Sequence, residues 1–381
     1  MKVAFDAQLL FEKQKTGIGW NARHMIDELI QIPDMECTLN CFRIRDREHA
    51  RDTLKEYRER GCQIRQSTWI PARIYNHLER LIPFPYQWIF GKDAEITQFF
   101  NYTVPLGVAN KKVTIVHDMA FRVCPDTVAK KTRKWLGKNL EKYCQRASCI
   151  VTVSEFSKRE IHQYLGIPLE KIEVVYNGVD QEMFHPNYDN ERISKVRETY
   201  KTGENYLLYL GTLEPRKNLE TLIDAYRRMR NRVKDCPKLV LAGKKGWLYD
   251  SIFEMVKDYG LERDVVFTGY IAENEVAPLI CGARIFLFPS LYEGFGIPPL
   301  EAMACGTPVI TSDTSSLPEV VGDAGIMIPP KEPEKLCEAM ERLFRDDVLW
   351  EEYRVRGFAQ AKKFTWKNSA EKLAGIYRRI V

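Results

Sequence analysis

The chain has 381 residues, 45% of them hydrophobic, with 57 lysines and arginines against 52 aspartates and glutamates for a net charge of +5. That length exceeds what a single core covers and makes two domains the expectation, while so even a charge balance speaks against a nucleic-acid binder. No run of about eighteen apolar residues occurs, an acid at Asp6 interrupts the first apolar stretch, and the ten cysteines are scattered without metal-like spacing. A membrane span, a signal peptide, a zinc site and a disulfide framework are therefore not expected, and cytosolic free thiols are.

In chain order, Lys2–Asp6 reads as a strand, Gly17-Ile-Gly19 as a glycine turn, and Trp20–Ile32 as a helix with Met25, Leu29 and Ile32 at helical spacing. Glu36–Arg43 suggests a second strand and Asp46–Gly61 a charged, exposed helix. Leu81–Phe90 is aromatic, uncharged and broken by two prolines, so it is either a loop covering the core or an apolar lip near an acceptor or a membrane. Val113–Val116 is a compact strand delivering His117 and Asp118 at its carboxyl end, where ligands sit in open α/β sheets. Between Val128 and Arg146, seven basic residues face one acid, Glu141, with Trp135, Leu136, Leu140 and Tyr143 interleaved at helical spacing. Such a basic amphipathic helix is either solvated on its charged face or laid against anionic lipid. Cys149–Val153 and Lys171–Val175 are further strands, the first followed by a helix that Ser154 caps, and Phe184–Tyr188 reads as a linker.

The second half repeats the alternation. Strands are expected at Tyr206–Leu210, Lys238–Ala242 and Val265–Phe267, with a helix at Leu219–Met229, which implies a doubly wound parallel sheet in each half. Neither half carries the full Gly-x-Gly-x-x-Gly dinucleotide fingerprint. Arg216 and Lys217 fall at the corner after Gly211 and Thr212, either clamping a diphosphate by fork and point charge or standing as ordinary loop charges.

The most informative stretch runs from Ser290 to Ile310. A short apolar strand, Arg284–Pro289, leads into a turn permitted by Gly294 and Gly296, and a helix opens near Pro298 and ends at Gly306, with Pro308 just beyond. A helix start behind a glycine loop is a ready anion site. Glu293 and Glu301, eight positions apart, cannot form a face-to-face acid pair; they suit hydroxyls on two parts of one extended ligand, or else serve as a loop charge and a helix-dipole partner.

This stretch resembles the signature of the family 4 retaining glycosyltransferases. The resemblance implies the GT-B fold, an α/β architecture of two Rossmann-like domains facing a cleft. Residues 1–183, joined by the terminal helix 366–381, would form the acceptor side, and residues 184–365 the nucleotide-sugar side. It implies that Glu293 holds hydroxyls of the donor sugar, Glu301 the ribose, and the Gly294–Ile297 loop, through the backbone of Phe295, Gly296 and Ile297, the distal phosphate. Gly17 and Gly19 would face the donor phosphates, His117 would reach the donor sugar, and Lys217 would meet the diphosphate. Family members usually carry arginine directly after the glycine equivalent to Gly211; here Thr212 stands there, and Arg216 is the candidate substitute. The activity implied is metal-independent, retaining transfer of a hexosyl group, with the leaving phosphate accepting the acceptor's proton. The donor would be a nucleoside diphosphate sugar, with GDP-mannose favoured, and no further cofactor is needed. The acceptor would be a glycan or lipid-linked sugar in cell-surface polysaccharide or lipopolysaccharide synthesis, handled in the cytoplasm with peripheral contact to an anionic membrane. Rival readings are an epimerase or phosphorylase on the same fold, and a non-catalytic sugar-nucleotide-binding partner of an assembly complex.

Overall fold

The computed structural model describes residues 1–12, 15–44, 47–81, 84–246 and 250–381. Two wholly parallel sheets carry the chain. The first holds β1 (Lys2–Asp6), β2 (Glu36–Cys41), β3 (Gln63–Gln66), β4 (Ile96–Phe99), β5 (Lys111–Ile115), β6 (Cys149–Thr152) and β7 (Ile172–Val174), in the order β3-β2-β1-β4-β5-β6-β7. The second holds β8 (Tyr206–Leu210), β9 (Lys238–Ala242), β10 (Val265–Gly269), β11 (Ile285–Phe288), β12 (Val309–Ser312) and β13 (Ile326–Ile328), ordered β10-β9-β8-β11-β12-β13. Central strands such as β4, β11 and β12 are buried at every residue. Only β11, Ile-Phe-Leu-Phe, is an unbroken apolar run; β4 and β12 also bury polar side chains, Thr97 and Gln98 in one and Thr311 and Ser312 in the other.

The chain divides into two compact units, one comprising Met1–Arg122, Lys131–Gly178 and Trp366–Val381, the other Val123–Lys130 and Val179–Thr365. In each sheet the order reverses beside the first strand laid down, between β1 and β4 in the first unit and between β8 and β11 in the second. The carboxyl ends of such strand pairs splay apart and leave a crevice for ligands.

In the first unit the helix Gly17–Leu29 buries Ala22, Met25, Ile26 and Leu29 and packs on the terminal helix Trp366–Ile380. Tyr377 of that helix donates to Gln98 Oε1 at 2.8 Å, and Ser369 Oγ to the Tyr176 carbonyl at 2.7 Å. The expected glycine turn is corrected here. Thr16 Oγ1 accepts from the Gly19 N–H at 3.5 Å and caps the helix, so Gly17 and Gly19 lie inside its first turn, and the helix ends at Leu29 instead of Ile32. The helix Arg47–Glu59 is amphipathic, not fully exposed: Ala50, Leu54 and Tyr57 are buried, and the Tyr57 hydroxyl donates to Asp27 at 2.8 Å. Of the aromatic stretch 81–90, Ile82 and Pro83 lie outside the described residues. Tyr86 and Phe90 enter the core against Phe42, while Trp88 is 69% exposed and meets Phe84 edge-on, so the stretch covers the core and leaves one aromatic ring outside it.

In the second unit, Val179 pairs with Thr365 and its N–H donates to the Phe364 carbonyl at 3.0 Å, tying the two chain crossings side by side. All ten cysteines are free thiols. Among the described residues no helix is long and apolar enough to cross a membrane.

Candidate active site

Beyond β8 the chain passes Gly211, where an added Cβ would stand 2.7 Å from the Tyr209 hydroxyl, and Thr212, whose carbonyl that hydroxyl reaches at 3.1 Å. It then makes a tight turn, Pro215–Lys217, that ends at Asn218 in the left-handed region (φ 58°). Asn218 Nδ2 donates to the Pro289 carbonyl at 3.0 Å and the Leu291 N–H to the Arg216 carbonyl at 2.9 Å. These bonds lash the end of β8 to the end of β11, the strands flanking the reversal.

The lashing brings Arg216 and Lys217 onto Glu293. Arg216 Nη1 donates to Glu293 Oε2 and to the Tyr292 carbonyl, each at 2.7 Å, and its Nη2 to Glu214 Oε1 at 2.7 Å. Lys217 Nζ donates to Glu293 Oε1 at 2.6 Å and stands 4.9 Å from the Phe288 ring centre. The Glu293 backbone is pinned as well, its N–H donating to Ser315 Oγ at 2.9 Å and its carbonyl accepting from Ser316 Oγ at 2.9 Å. Lys217 and Glu293 are only 8% and 7% exposed, so neither is an ordinary loop charge. Burial alone would raise the Glu293 carboxyl, but the adjoining charges of Arg216 and Lys217 outweigh it and hold the group at about 2. Lys217 is pushed below its ordinary value by burial and then by Arg216, with Glu293 opposing.

The helix Ile297–Ala304 begins behind Gly296, whose φ of 119° suits glycine and whose added Cβ would meet Leu317 at 2.8 Å. Pro298 and Pro299 have no N–H, so of the first three helical positions only Ile297 carries a donor. Glu301 in this helix is partly exposed as a residue, yet its carboxyl has no hydrogen-bond partner among the described residues. Burial, and secondarily the charge of Asp180, pushes it up to about 8.

His117 belongs to the first unit, just past β5. Its Nε2 lies 2.8 Å from the Phe100 carbonyl; a carbonyl only accepts, so Nε2 carries the proton and Nδ1 is left as the acceptor. Burial lowers its pKa, with the Phe100 contact opposing, and the ring is neutral at pH 7. Gly17 and Gly19 belong to the same unit, in the first turn of the helix Gly17–Leu29.

The structure thus joins Arg216, Lys217 and Glu293 in direct contact, sets Gly211, Thr212 and Gly294–Ile297 along the same two loops, and places Glu301 on the adjoining helix. Sequence reasoning missed Glu214, Ser315, Ser316 and Asp180. Glu214 stood two residues before Arg216, and the two serines follow β12, so the rule that strand ends carry the site could have found them.

Doubly wound parallel sheets in two units are the architecture of the GT-B fold. HepE of Anabaena, crystallised with UDP and glucose, matches over the full length of both chains with a TM-score of 0.76 at 20% identity. WaaG, a glycosyltransferase involved in lipopolysaccharide biosynthesis, matches over 99% of both at 0.69 and 16%. The chain belongs to the family 4 glycosyltransferases: residues 45–183 match Glycosyltransferase Family 4 and residues 190–364 match Glycosyl transferases group 1. It is 34% identical over 270 residues to O-antigen chain mannosyltransferase B of Escherichia coli, 71% of each chain. It is 31% identical over 244 residues to O-antigen chain mannosyltransferase RfbU of Salmonella typhimurium, 64% of this chain and 63% of the relative. Serotype-specific mannosyltransferase WbdA of Escherichia coli is 32% identical over 239 residues, and the match spans only 29% of WbdA.

Proposed function

We propose that this glycosyltransferase moves a mannosyl group from GDP-mannose to a glycan or lipid-linked sugar acceptor in cell-surface polysaccharide synthesis, with retention and without a metal. The buried contact of Arg216 and Lys217 with Glu293 carries the reading, and the names of the relatives support its mannosyl and polysaccharide parts. The corner balances two cations against Glu293 and Glu214. An arriving diphosphate competes for the cations, and each contact it takes releases a Glu293 oxygen to accept from a sugar hydroxyl. Because Ser315 and Ser316 pin the backbone of Glu293, only side-chain partners change.

As the bond from the sugar's anomeric carbon to phosphate breaks, the electron pair goes to the diphosphate, where Arg216, Lys217 and the helix-end amides stabilise it without reorganising. The acceptor oxygen bonds to that carbon on the same face and its proton passes to the leaving phosphate. Glu301 accepts from the ribose. The charged face of the helix Lys130–Arg146 meets an anionic cytoplasmic leaflet.

The test supplies GDP-mannose, with UDP-sugars in parallel, to purified protein in excess chelator, with and without a mannoside acceptor, and reads nucleotide release and the anomer formed. GDP released only with acceptor, and a product with the donor's anomeric configuration, are expected. An inverted product, a metal requirement or a preference for UDP-sugars would overturn the corresponding part. Donor binding without turnover on any acceptor would make the protein a non-catalytic partner.

A further inference from the structure

At the outer edge of the first sheet, a pocket of about 350 Å³ opens between the edge strand β3 and the helix Arg47–Glu59. Three arginines line it, Arg43 from just beyond β2 and Arg51 and Arg58 from the helix. We infer that this pocket binds a phosphoryl group, a phosphomonoester or a diphosphate, as a second anion site separate from the corner at Arg216 and Lys217.

Helical spacing builds one wall. Arg51, Leu54 and Arg58 stand at i, i+3 and i+7 and share one face of the helix; Leu54 is 7% exposed and anchors that face, while both arginines remain exposed. On the other side Gln66 closes β3 and Thr68 follows it, so that wall offers an amide and a hydroxyl, which are neutral donors. What sets the three arginines apart is the lack of a counter-charge. No acid lines the pocket, and none of the three guanidiniums has an ion pair or hydrogen bond among the described residues. Elsewhere in the same unit Arg23, Arg60 and Arg65 each meet a carboxylate at 2.5–2.7 Å. The helix's own acids do not serve the pocket: Glu56 meets Arg23 and Arg60, Glu59 meets Lys55, and neither Glu48 nor Asp52 is in ion-pair contact with the three arginines. A concave surface lined by one sign of charge focuses its field and gathers counter-ions. Guanidiniums pair in parallel with phosphate oxygens, and three of them carry more charge than one carboxylate neutralises, so a group with two or more negative charges fits. At the other corner an anion must compete with Glu293 for the cations; here it displaces no internal partner.

The test titrates inorganic pyrophosphate into the full chain by calorimetry, comparing wild type with Arg51→Gln/Arg58→Gln and with Lys217→Met. Wild type should take up two equivalents. The double glutamine variant should lose one of them, weakened about a hundredfold at tenfold per guanidinium, and Lys217→Met should weaken the other. Added salt should weaken the edge site strongly, because its cations are exposed. For the same reason the double variant should melt with the wild type and transfer to a soluble mannoside with unchanged kcat and acceptor KM. Vesicles containing phosphatidic acid, whose headgroup is a phosphomonoester, are set against vesicles of equal charge containing phosphatidylglycerol, a diester. A preference for phosphatidic acid that the double variant removes makes a lipid headgroup the source of the phosphoryl group; pyrophosphate uptake without that preference makes it a soluble phosphate. A single equivalent in wild type, a second equivalent that the double variant keeps, or an acceptor KM that rises in the double variant overturns the inference.

Discussion

The two sheets reverse strand order in the same way, yet what waits at the two reversals differs in charge. At the β8/β11 end, Glu293 is gripped by Arg216 and Lys217; at the β1/β4 end, Asp6 and Glu12 line a cavity with no cation among its described lining residues. Burial raises both buried carboxyls, and only one has counter-charges, so Glu293 is held at about 2 while Asp6 sits at about 6. One topology thus sets a buried carboxyl among cations in one unit and apart from them in the other. A handful of loop residues decides which, and the fold alone decides neither.

The hardest blow to that contrast should come from Lys217. Lys217→Met removes a cation where the leaving diphosphate gathers charge, and kcat should fall by about a hundredfold or more, the scale for losing one preorganised donor, with a smaller change in donor affinity. It also takes one of two counter-charges from Glu293, leaving Arg216 on its other oxygen, and the lost charged hydrogen bond costs about 1.5–3 kcal/mol of stability. Pairing it with Glu293→Gln should recover much of that stability in denaturant titrations and none of the turnover. A double variant that works would show the corner to be structural. The Glu293 term also fixes a pH window: with a folded value of about 2 against an ordinary 4.5, its stabilisation is full above about pH 4.5 and lost as pH falls towards 2.

How far this was readable from the chain differs by element. A strand buried on both faces announces itself where it is a continuous apolar run, as Ile285–Phe288 is, whereas the equally buried central strand Ile96–Phe99 carries Thr97 and Gln98 and gave no such signal. The edge strand Gln63–Gln66 does not announce itself either: its residues are half-buried or exposed and its sequence, Gln-Ile-Arg-Gln, has no apolar run. Gly17 and Gly19 misled because a glycine pair suggests a turn, while the Thr16 cap that draws both into a helix depends on one hydroxyl. At the corner, the residue types and strand ends of Arg216, Lys217 and Glu293 were legible. Their mutual contact was not, since 76 positions separate Lys217 from Glu293 and only the sheet order brings them together. Asp6 gave no signal at all: one acid closing a strand means little until its burial and its contacts with Gln8 and Tyr86 are known.

A second test uses Glu301, the buried carboxyl of the second unit that lacks a cation partner. Its folded value of about 8 lies above the ordinary 4.5, so the folded protein holds that proton more tightly, and ionising it disfavours folding increasingly between pH 4.5 and 8. Glu301→Gln should therefore stabilise the protein, by about 2–3 kcal/mol at pH 8 after allowing for its partial exposure, and hardly at pH 5. The same variant should weaken GDP about tenfold at pH 8, where the carboxylate would accept from ribose hydroxyls. Melting curves at the two pH values, with GDP titrations, check both halves. A stability change independent of pH would mean that the carboxyl is not desolvated, and unchanged GDP affinity would remove it from the ribose.

The smallest expected effect concerns the helix Lys130–Arg146, which meets the first unit's cavity on one side and solvent on the other. Leu136, Leu140 and Cys144 bury it, Trp135 and Tyr143 reach the cavity, and Lys131, Lys134, Lys138 and Lys142 are exposed. If that lysine row rests on an anionic leaflet, the helix holds the cavity lined by Trp135 and Tyr143 close to the surface where a lipid-linked glycan would be presented. Each lysine adds about 1 kcal/mol at low salt and less within a Debye length of about 8 Å at physiological salt. Replacing all four by glutamate should abolish co-sedimentation with phosphatidylserine-containing vesicles while leaving transfer to a soluble mannoside unchanged. Equal binding to neutral vesicles, or none to anionic ones at low salt, would leave the row solvated and confine the helix's role to its two aromatic rings.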